Sequence, residues 1–198
     1  MSAIRLKVHK AEGDYDLGAS KFLGSPVLPK KLENAFNDST IFLLQLRLSD
    51  IAELDEDNIL PHVGYLYIFL DVSNSEYSLE PIVKYTKTEP TICLNGFNDI
   101  VDGYEEFTDD WLIEFEKCDD YETGNKLFGK PNDWNYQEEP RQLLFQFDPL
   151  DSEMGLFSHL DGLIYFFLGD DRKTFKDVDI LEEISWLKKN SLIKLMLW

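Results

Sequence analysis

The chain has 198 residues, 43% of them hydrophobic and 14% aromatic, enough to bury a sizeable core in one domain or two fused halves. With 38 acidic and 19 basic residues, its formal net charge is −19. Such a surface repels nucleic-acid phosphates and anionic lipid headgroups, so we expect no nucleic-acid or membrane partner and favour a basic protein instead. Two cysteines, and no apolar run long enough to span a membrane, predict a soluble, cytoplasmic protein.

The predicted elements are mainly short strands, because apolar and aromatic runs of strand length are separated by Gly, Pro and acidic residues. In chain order they are a strand or arm within residues 1–19, a rigid extended loop at 21–29, a buried strand at 41–48, a short helix at 49–54, an aromatic strand at 64–72, edge strands at 82–85 and 91–94, and a strand or short helix at 111–116. Helical spacing returns at residues 179–198, which contain good helix formers.

Three phrases of the first half of the chain recur in the second half in the same order. Ser-Lys-Phe-Leu-Gly-Ser-Pro at 20–26 corresponds to Asn-Lys-Leu-Phe-Gly-Lys-Pro at 125–131, Phe-Leu-Leu-Gln-Leu at 42–46 to Leu-Leu-Phe-Gln-Phe at 143–147, and Gly-Tyr-Leu-Tyr-Ile-Phe-Leu at 64–70 to Gly-Leu-Ile-Tyr-Phe-Phe-Leu at 162–168. A period of about 100 residues is too long for a solenoid unit.

These repeats predict an α+β fold in a single domain, 1–198, with two β-rich halves related by internal duplication about a pseudo-twofold axis. The halves would span about 20–97 and 125–178, with mainly antiparallel sheets and a few short helices. A helical tail would follow at residues 179–198.

The recurring phrases resemble the bacterial YwqG-like family, a domain of unknown function. The resemblance covers roughly residues 20–180 and rests on the Lys-x-x-Gly-x-Pro loop, the Leu-Leu-x-Gln strand and the Gly-Leu-Ile-Tyr-Phe-Phe strand. It implies an α+β fold with antiparallel sheets and no assigned enzymatic activity, and some members are thought to act as immunity proteins beside bacterial toxins. The family usually closes with another β-strand, where this sequence predicts the helical tail.

An acid-rich stretch at residues 98–122 is the first candidate for binding, because it holds 11 carboxylates and a single basic residue, Lys117. A charge run of this kind is usually a solvated face, which is the simpler interpretation. The functional interpretation is that it attracts a basic protein, together with residues 55–57, and it would mimic a nucleic-acid backbone if that partner is a nuclease. The predicted partner-binding residues are Asp99, Asp102, Glu105, Glu106, Asp109, Asp110, Asp119 and Asp120.

A cleft between the two predicted halves is the second candidate, with Gln45, Gln146, Lys126 and Asp148 as its polar groups. Each glutamine lies inside an apolar strand, where an unbonded amide would cost about 1–3 kcal/mol. The favoured interpretation is therefore structural: each amide binds fixed backbone, and each repeated lysine staples its loop. The alternative is a small ligand or substrate held between the halves.

No catalytic, metal or cofactor-binding residue is predicted. His62 and His159 flank the repeated aromatic strand and His9 lies in the N-terminal arm, but none has a further His or Cys at metal-binding spacing. Nucleophile elbows and phosphate-binding glycine loops are absent from the sequence. The sequence therefore predicts an acidic binding protein of the immunity or antitoxin type that neutralises a basic protein, with a ligand-binding protein or enzyme as the alternative.

Overall fold

Twelve β-strands dominate the computed structural model, which describes residues 3–73, 79–101, 107–133, 140–150, 154, 162–169, 175 and 178–182. The strands are β1 (Ala3–Lys10), β2 (Lys21–Phe22), β3 (Val27–Leu28), β4 (Thr40–Arg47), β5 (Tyr65–Asp71), β6 (Glu80–Thr86), β7 (Ile92–Cys93), β8 (Trp111–Cys118), β9 (Lys126–Leu127), β10 (Leu143–Phe147), β11 (Ile164–Leu168) and β12 (Val178–Glu182). Helical structure in the described residues is confined to short 3-10 turns, namely Lys30–Leu32, Leu48–Ile51 and Asn98–Ile100, and to the single 3-10 residue Phe107.

Ten of these strands form one antiparallel sheet in the order β12-β11-β10-β9-β1-β8-β2-β4-β5-β6, and β3 pairs with β7 beside it. The sheet curls into a half-barrel, because Cα atoms of β6 and β12, at opposite ends of the order, come within 8 Å of each other. The rings of Tyr85 on β6 and Phe175 just before β12 lie 5.8 Å apart across this closure. The long pair β1–β8 forms the middle of the sheet.

The predicted α+β fold with two duplicated halves is wrong. The sheet continues from β12 to β6 through β1 and β8, so residues 20–97 and 125–178 contribute strands to one curled sheet and do not form separate halves. The helical component is also missing from the described residues beyond the short 3-10 turns. The recurring phrases mark two locally similar loop and strand arrangements within that sheet. On one side of β1–β8, β2 pairs with β4 and β4 pairs with β5. On the other side, β9 pairs with β10 and β10 pairs with β11.

The predicted helical tail is wrong where the structure describes it. Val178–Glu182 is extended and pairs with β11, because each of its residues faces a strand position between Ile164 and Leu168. The rest of the predicted tail lies outside the described residues. No helix in the described part of the chain is long and apolar enough to cross a membrane.

Burial separates two kinds of strand. β4, β5, β10 and β11 are buried on both faces, because one face of each packs in the main core and the other in one of two smaller apolar clusters. β1 instead alternates: Ile4, Leu6 and Val8 face the core, whereas the residues between them are polar. The β1–β8 pair therefore carries an outward face of charged side chains.

Candidate functional site

The amides of Gln45 and Gln146 bind the loop in front of their strands, as the structural interpretation predicts. The Oε1 atom of Gln45 accepts from the Val27 N–H at 3.0 Å, and its Nε2 donates to the carbonyls of Leu17 and Ala19 at 3.1 and 2.9 Å. For Gln146 the same two amide atoms are bonded in the corresponding places. Its Oε1 accepts from the Asn132 N–H at 3.0 Å and its Nε2 donates to the Gly124 carbonyl at 2.8 Å. Both glutamines are therefore part of the scaffold.

The second predicted site, the cleft, is not assembled. Gln45 on β4 and Gln146 on β10 are separated in the sheet by β9, β1, β8 and β2. Five strand spacings of about 4.8 Å place them roughly 24 Å apart along the curled sheet. Asp148 closes a local turn instead, because its backbone N–H donates to Asn125 Oδ1 and its own Oδ1 accepts from the Leu150 N–H. These residues do not converge on a common ligand position.

The two repeated lysines staple their loops, also as predicted, but with different partners. Lys21 is fully buried, and its Nζ contacts Asp110 Oδ1 at 2.6 Å, the Ser25 carbonyl, and the Tyr15 hydroxyl at 3.0 Å. Burial, followed by the contact with Asp110, raises the pKa of Tyr15. The ion pair removes Asp110 from the predicted binding surface, because a carboxylate that neutralises a buried amine is not available to a partner.

Lys126 is equally buried but binds only a backbone carbonyl among the described residues. Its Nζ donates to the Asp120 carbonyl at 2.8 Å. Burial lowers the pKa of Lys126 to about 8, and electrostatic interactions, first with Cys118 and then with Asp120, oppose that shift. Burial also raises the pKa of the Cys118 thiol. The described part of the chain thus holds one buried amine with a carboxylate partner and one without.

The predicted acidic surface is divided by β8. Asp109 and Asp110 precede this strand and Asp119 and Asp120 follow it, so its eight residues, at about 3.3 Å each, keep the two groups roughly 26 Å apart. Asp109 is paired with Lys10 at 2.5 Å. Of the other predicted residues, Asp99 is exposed in the 3-10 turn Asn98–Ile100, whereas Asp102, Glu105 and Glu106 lie outside the described residues.

Five acids lie next to one ion pair in the sequence, and we call them the acidic end: Glu53, Glu56, Asp57, Asp119 and Asp120. Glu56, in the loop after β4, pairs with Lys117 near the end of β8, and Asp119 and Asp120 directly follow that strand. The hydrogen bond from Lys117 lowers the pKa of Glu56. Glu53, Asp57 and Asp119 are exposed and have no ion pair within the described residues.

Asp55 does not belong to this surface, although residues 55–57 were predicted as part of it. Its carboxylate is buried and accepts from the backbone N–H groups of Ile59 and Leu60, with His62 Nε2 at 3.3 Å. A carboxylate with these partners closes the loop between β4 and β5. His62 is therefore a loop residue, as its position before the strand suggested.

The outward face of β1–β8 is a charged surface. The sequence predicts outward carboxylates at 111–116, but it does not predict that they pair with cations of β1. Arg5 and Lys7 both contact Glu116, Lys7 at 2.7 Å, and Arg5 also pairs with Glu122. The hydrogen bond from Lys7 is the largest cause of a lowered pKa at Glu116. Cations occupy every second position of β1, and carboxylates occupy every second position of β8. This alternation indicates two neighbouring strands whose outward side chains carry opposite charges.

No group of three or more His, Cys, Asp and Glu suited to a metal ion occurs within the described ranges. Cys93 and Cys118 are both unpaired thiols, and burial raises the pKa of each, which disfavours the nucleophilic thiolate. His9 is exposed on β1, and His159 lies outside the described residues.

A scan against protein-family models finds none that matches the chain, and a search of curated proteins finds no match either. The resemblance to the YwqG-like family therefore stays a prediction that rests on the motifs quoted above.

Proposed function

We propose that the chain is an acidic binding module that neutralises a basic protein partner, in the manner of an immunity protein or antitoxin. The observation that carries the proposal is the acidic end, where Glu53, Asp57 and Asp119 are exposed without an internal cation in the described residues. On a chain with a net charge of −19, these carboxylates are free to pair with lysines and arginines of another protein. Negative charge on the whole chain and at the contact surface speeds association with a positively charged partner. It also selects such a partner over others.

The pattern of internal ion pairs supports this reading of the acidic end. The cations of β1 and β8, namely Arg5, Lys7, Lys10 and Lys117, all contact carboxylates of the same chain. The internal cations are therefore used to fasten the sheet, and the acid excess is left at the loops. Gln45, Gln146 and Lys126 of the alternative cleft are bonded to backbone groups, so no observation favours the enzymatic alternative.

The experiment compares two triple variants that remove the same charge at different places. E53Q/D57N/D119N neutralises the acidic end, and E33Q/D38N/D99N neutralises three exposed acids outside it. The tagged wild-type chain is first used to capture partners from its host's lysate at low and high salt, and the dissociation constant of the retained basic protein is then measured for each variant. We expect the first variant to weaken binding about tenfold and the second by less than about threefold.

Equal weakening by both variants would show that only the net charge matters and not the acidic end. Retention of no basic protein at low salt would overturn the proposal itself. Circular dichroism of both variants provides the control for folding, and both are expected to match the wild type because all six side chains are exposed.

A further inference from the structure

The side-chain hydroxyl of Tyr67 on β5 is a buried polar group without a partner among the described residues. Tyr67 is 0% exposed, and within the described part of the chain its Oη atom is the buried side-chain polar atom that neither donates nor accepts a hydrogen bond. Native proteins satisfy the great majority of such atoms with a protein group or an ordered water. The Tyr67 hydroxyl therefore requires a physical explanation.

The tyrosine at the corresponding place in the second arrangement of strands does have a partner. Tyr67 faces Gln45 in the pairing of β5 with β4, and Tyr165 faces Gln146 in the pairing of β11 with β10. Tyr165 is also 0% exposed, but its hydroxyl accepts a hydrogen bond from the Asp133 N–H at 3.0 Å. The two tyrosines thus share strand position and burial, and they differ in what their hydroxyls contact.

The difference arises in the loop that covers each tyrosine. The residue that corresponds to Asp133 is Leu28, because each is the second residue after the proline of the recurring Lys-x-x-Gly-x-Pro loop. Leu28 belongs to β3, where it pairs with Ile92 of β7. The backbone of the first loop is therefore used in the β3–β7 pair, and Tyr67 is left without the N–H group that its counterpart binds.

Two other polar groups lie near the Tyr67 hydroxyl. Tyr65 is two residues earlier on the same face of β5, and its ring centroid is 6.3 Å from that of Tyr67, with the ring planes 21° apart. The Tyr65 hydroxyl donates to the Glu89 carboxylate at 2.7 Å. Burial raises the pKa of Tyr67, and electrostatic interactions with Tyr65 and then Glu89 raise it further. A hydroxyl and a carboxylate are thus within electrostatic reach of Tyr67, although neither is hydrogen-bonded to it.

We propose that Tyr67, Tyr65 and Glu89 form a buried binding site for a single water molecule. The protons balance: the Tyr67 hydroxyl donates to the water, and the water donates to the Glu89 carboxylate and to Tyr65 Oη, whose own proton is bonded to Glu89. A buried water typically makes about three hydrogen bonds of this kind. Water is the occupant that fits, because the two tyrosines are only 0% and 4% exposed and a larger molecule would have to displace the aromatic side chains packed against them.

The bound water would fasten a loop to the sheet. Glu89 lies between β6 and β7, so a hydrogen-bonded path from Tyr67 through the water to Glu89 holds this loop over the apolar cluster on the face of β5 that carries both tyrosines. The loop before β2 closes the site on another side, because a methyl group on Gly18 would come within 2.9 Å of Tyr65 Oη. The water thus takes the role that the Asp133 N–H has in the second arrangement.

Tyr67→Phe and the matched control Tyr165→Phe each remove one hydroxyl from corresponding buried positions, and urea denaturation of the full-length chain compares them with the wild type. If the water is bound, Tyr67→Phe breaks a satisfied hydrogen bond, so we expect its equilibrium constant of unfolding to rise about fivefold, as for Tyr165→Phe. If the hydroxyl is unbonded, its removal lowers that constant, because a desolvated polar group is lost. A lowered constant for Tyr67→Phe would overturn the proposal.

A double-mutant cycle and a high-resolution crystal structure of the wild type identify the ligands of the water. In a Glu89→Ala background we expect the effect of Tyr67→Phe to shrink to less than about twofold, whereas the effect of Tyr165→Phe should be unchanged. The crystal structure should show one ordered water within about 3.2 Å of Tyr67 Oη. The proposal fails if the effects of Tyr67→Phe and Glu89→Ala simply multiply, if no water is seen there, or if a protein atom is bonded to Tyr67 Oη instead.

Discussion

The two buried lysines provide the sharpest prediction, because they occupy corresponding places but have different partners. Lys21 faces Gln45 in the pairing of β2 with β4, and Lys126 faces Gln146 in the pairing of β9 with β10. Both are 0% exposed. Methionine has a similar length and no charge, so Lys21→Met and Lys126→Met remove the amine in each case with little change in packing.

The expected free-energy changes differ in sign. Lys21→Met leaves Asp110, whose side chain is 23% exposed, without its cation, and removing one partner of a buried ion pair costs about 3 kcal/mol. Lys126→Met leaves the Asp120 carbonyl bonded to the Lys130 N–H at 2.9 Å, so no acceptor is orphaned. A pKa lowered from 10.5 to about 8 corresponds to about 3 kcal/mol against the buried charged amine, and the lost hydrogen bond offsets about 1 kcal/mol of that. We therefore expect Lys126→Met to be more stable than the wild type by about 2 kcal/mol at neutral pH.

The pH dependence identifies the cause. The folded-state pKa of Lys126, about 8, lies below its ordinary value of 10.5, so between these two values the unfolded chain binds the proton more tightly. The free energy of unfolding of the wild type therefore rises as the pH increases from about 8 to 10.5. Below about pH 8 the full cost of burying the charged Lys126 amine remains. Lys126→Met lacks this term, so its advantage should shrink by about 2 kcal/mol between neutral pH and about pH 9.5.

Urea denaturation of the wild type and both variants at these two pH values measures the prediction. If the free energy of unfolding has the same slope against urea concentration in all three proteins, the differences reflect stability and not a changed unfolded state. The reasoning is refuted if Lys126→Met is less stable than the wild type at neutral pH, or if its stability difference is the same at both pH values.

Two further substitution pairs test the scaffold. Gln45→Met loses three hydrogen bonds and Gln146→Met loses two, so we expect losses of about 3 and about 2 kcal/mol, in that order, in urea denaturation; the reverse order would contradict the bonding described. Gly64→Ala is expected to cost more than about 2 kcal/mol, because Gly64 has a φ of +86° and a methyl group there would overlap the Thr86 carbonyl oxygen. Gly13→Ala, at a φ of +66° with open space around it, should cost only about 1 kcal/mol, and equal losses would show that the overlap is relieved.

The local features of the fold could be predicted from the sequence. Runs such as Ile-Phe-Leu-Leu and Tyr-Ile-Phe-Leu specify strands by their composition alone, and β4 and β5 lie where they were expected. Gln45 and Gln146 were expected to bind backbone, since a buried amide inside an apolar strand must find partners that do not move. These inferences succeeded because they depend on the cost of burying one group and not on where distant strands lie.

The arrangement of the sheet could not be predicted in this way. Asp110 appeared to be a surface acid until the fold brought it to Lys21, 89 residues away. Asp109 and Asp119 were assigned to one binding surface although a strand or short helix was expected at 111–116. β8 lies between them, because its Trp, Ile and Phe side chains face the core. Val178–Glu182 has helix-compatible residues, yet pairing with β11 makes it a strand, which shows tertiary contacts overriding local preference. The recurring phrases led to a prediction of two halves. A sequence repeat, however, is equally compatible with two groups of strands that share one sheet.

The central position of β1 has a consequence for biosynthesis. Arg5 and Glu116, which meet across β1 and β8, are 111 residues apart in the chain. At a synthesis rate of about 5–20 residues per second, about 5 to 20 s pass between the synthesis of β1 and the synthesis of β8. During that interval Ile4, Leu6 and Val8 are exposed on a strand with two open edges, the condition under which nascent chains aggregate. Arg5 and Lys7 lie between these apolar residues, and repulsion between such strands of neighbouring chains keeps them apart until β8 supplies the carboxylates.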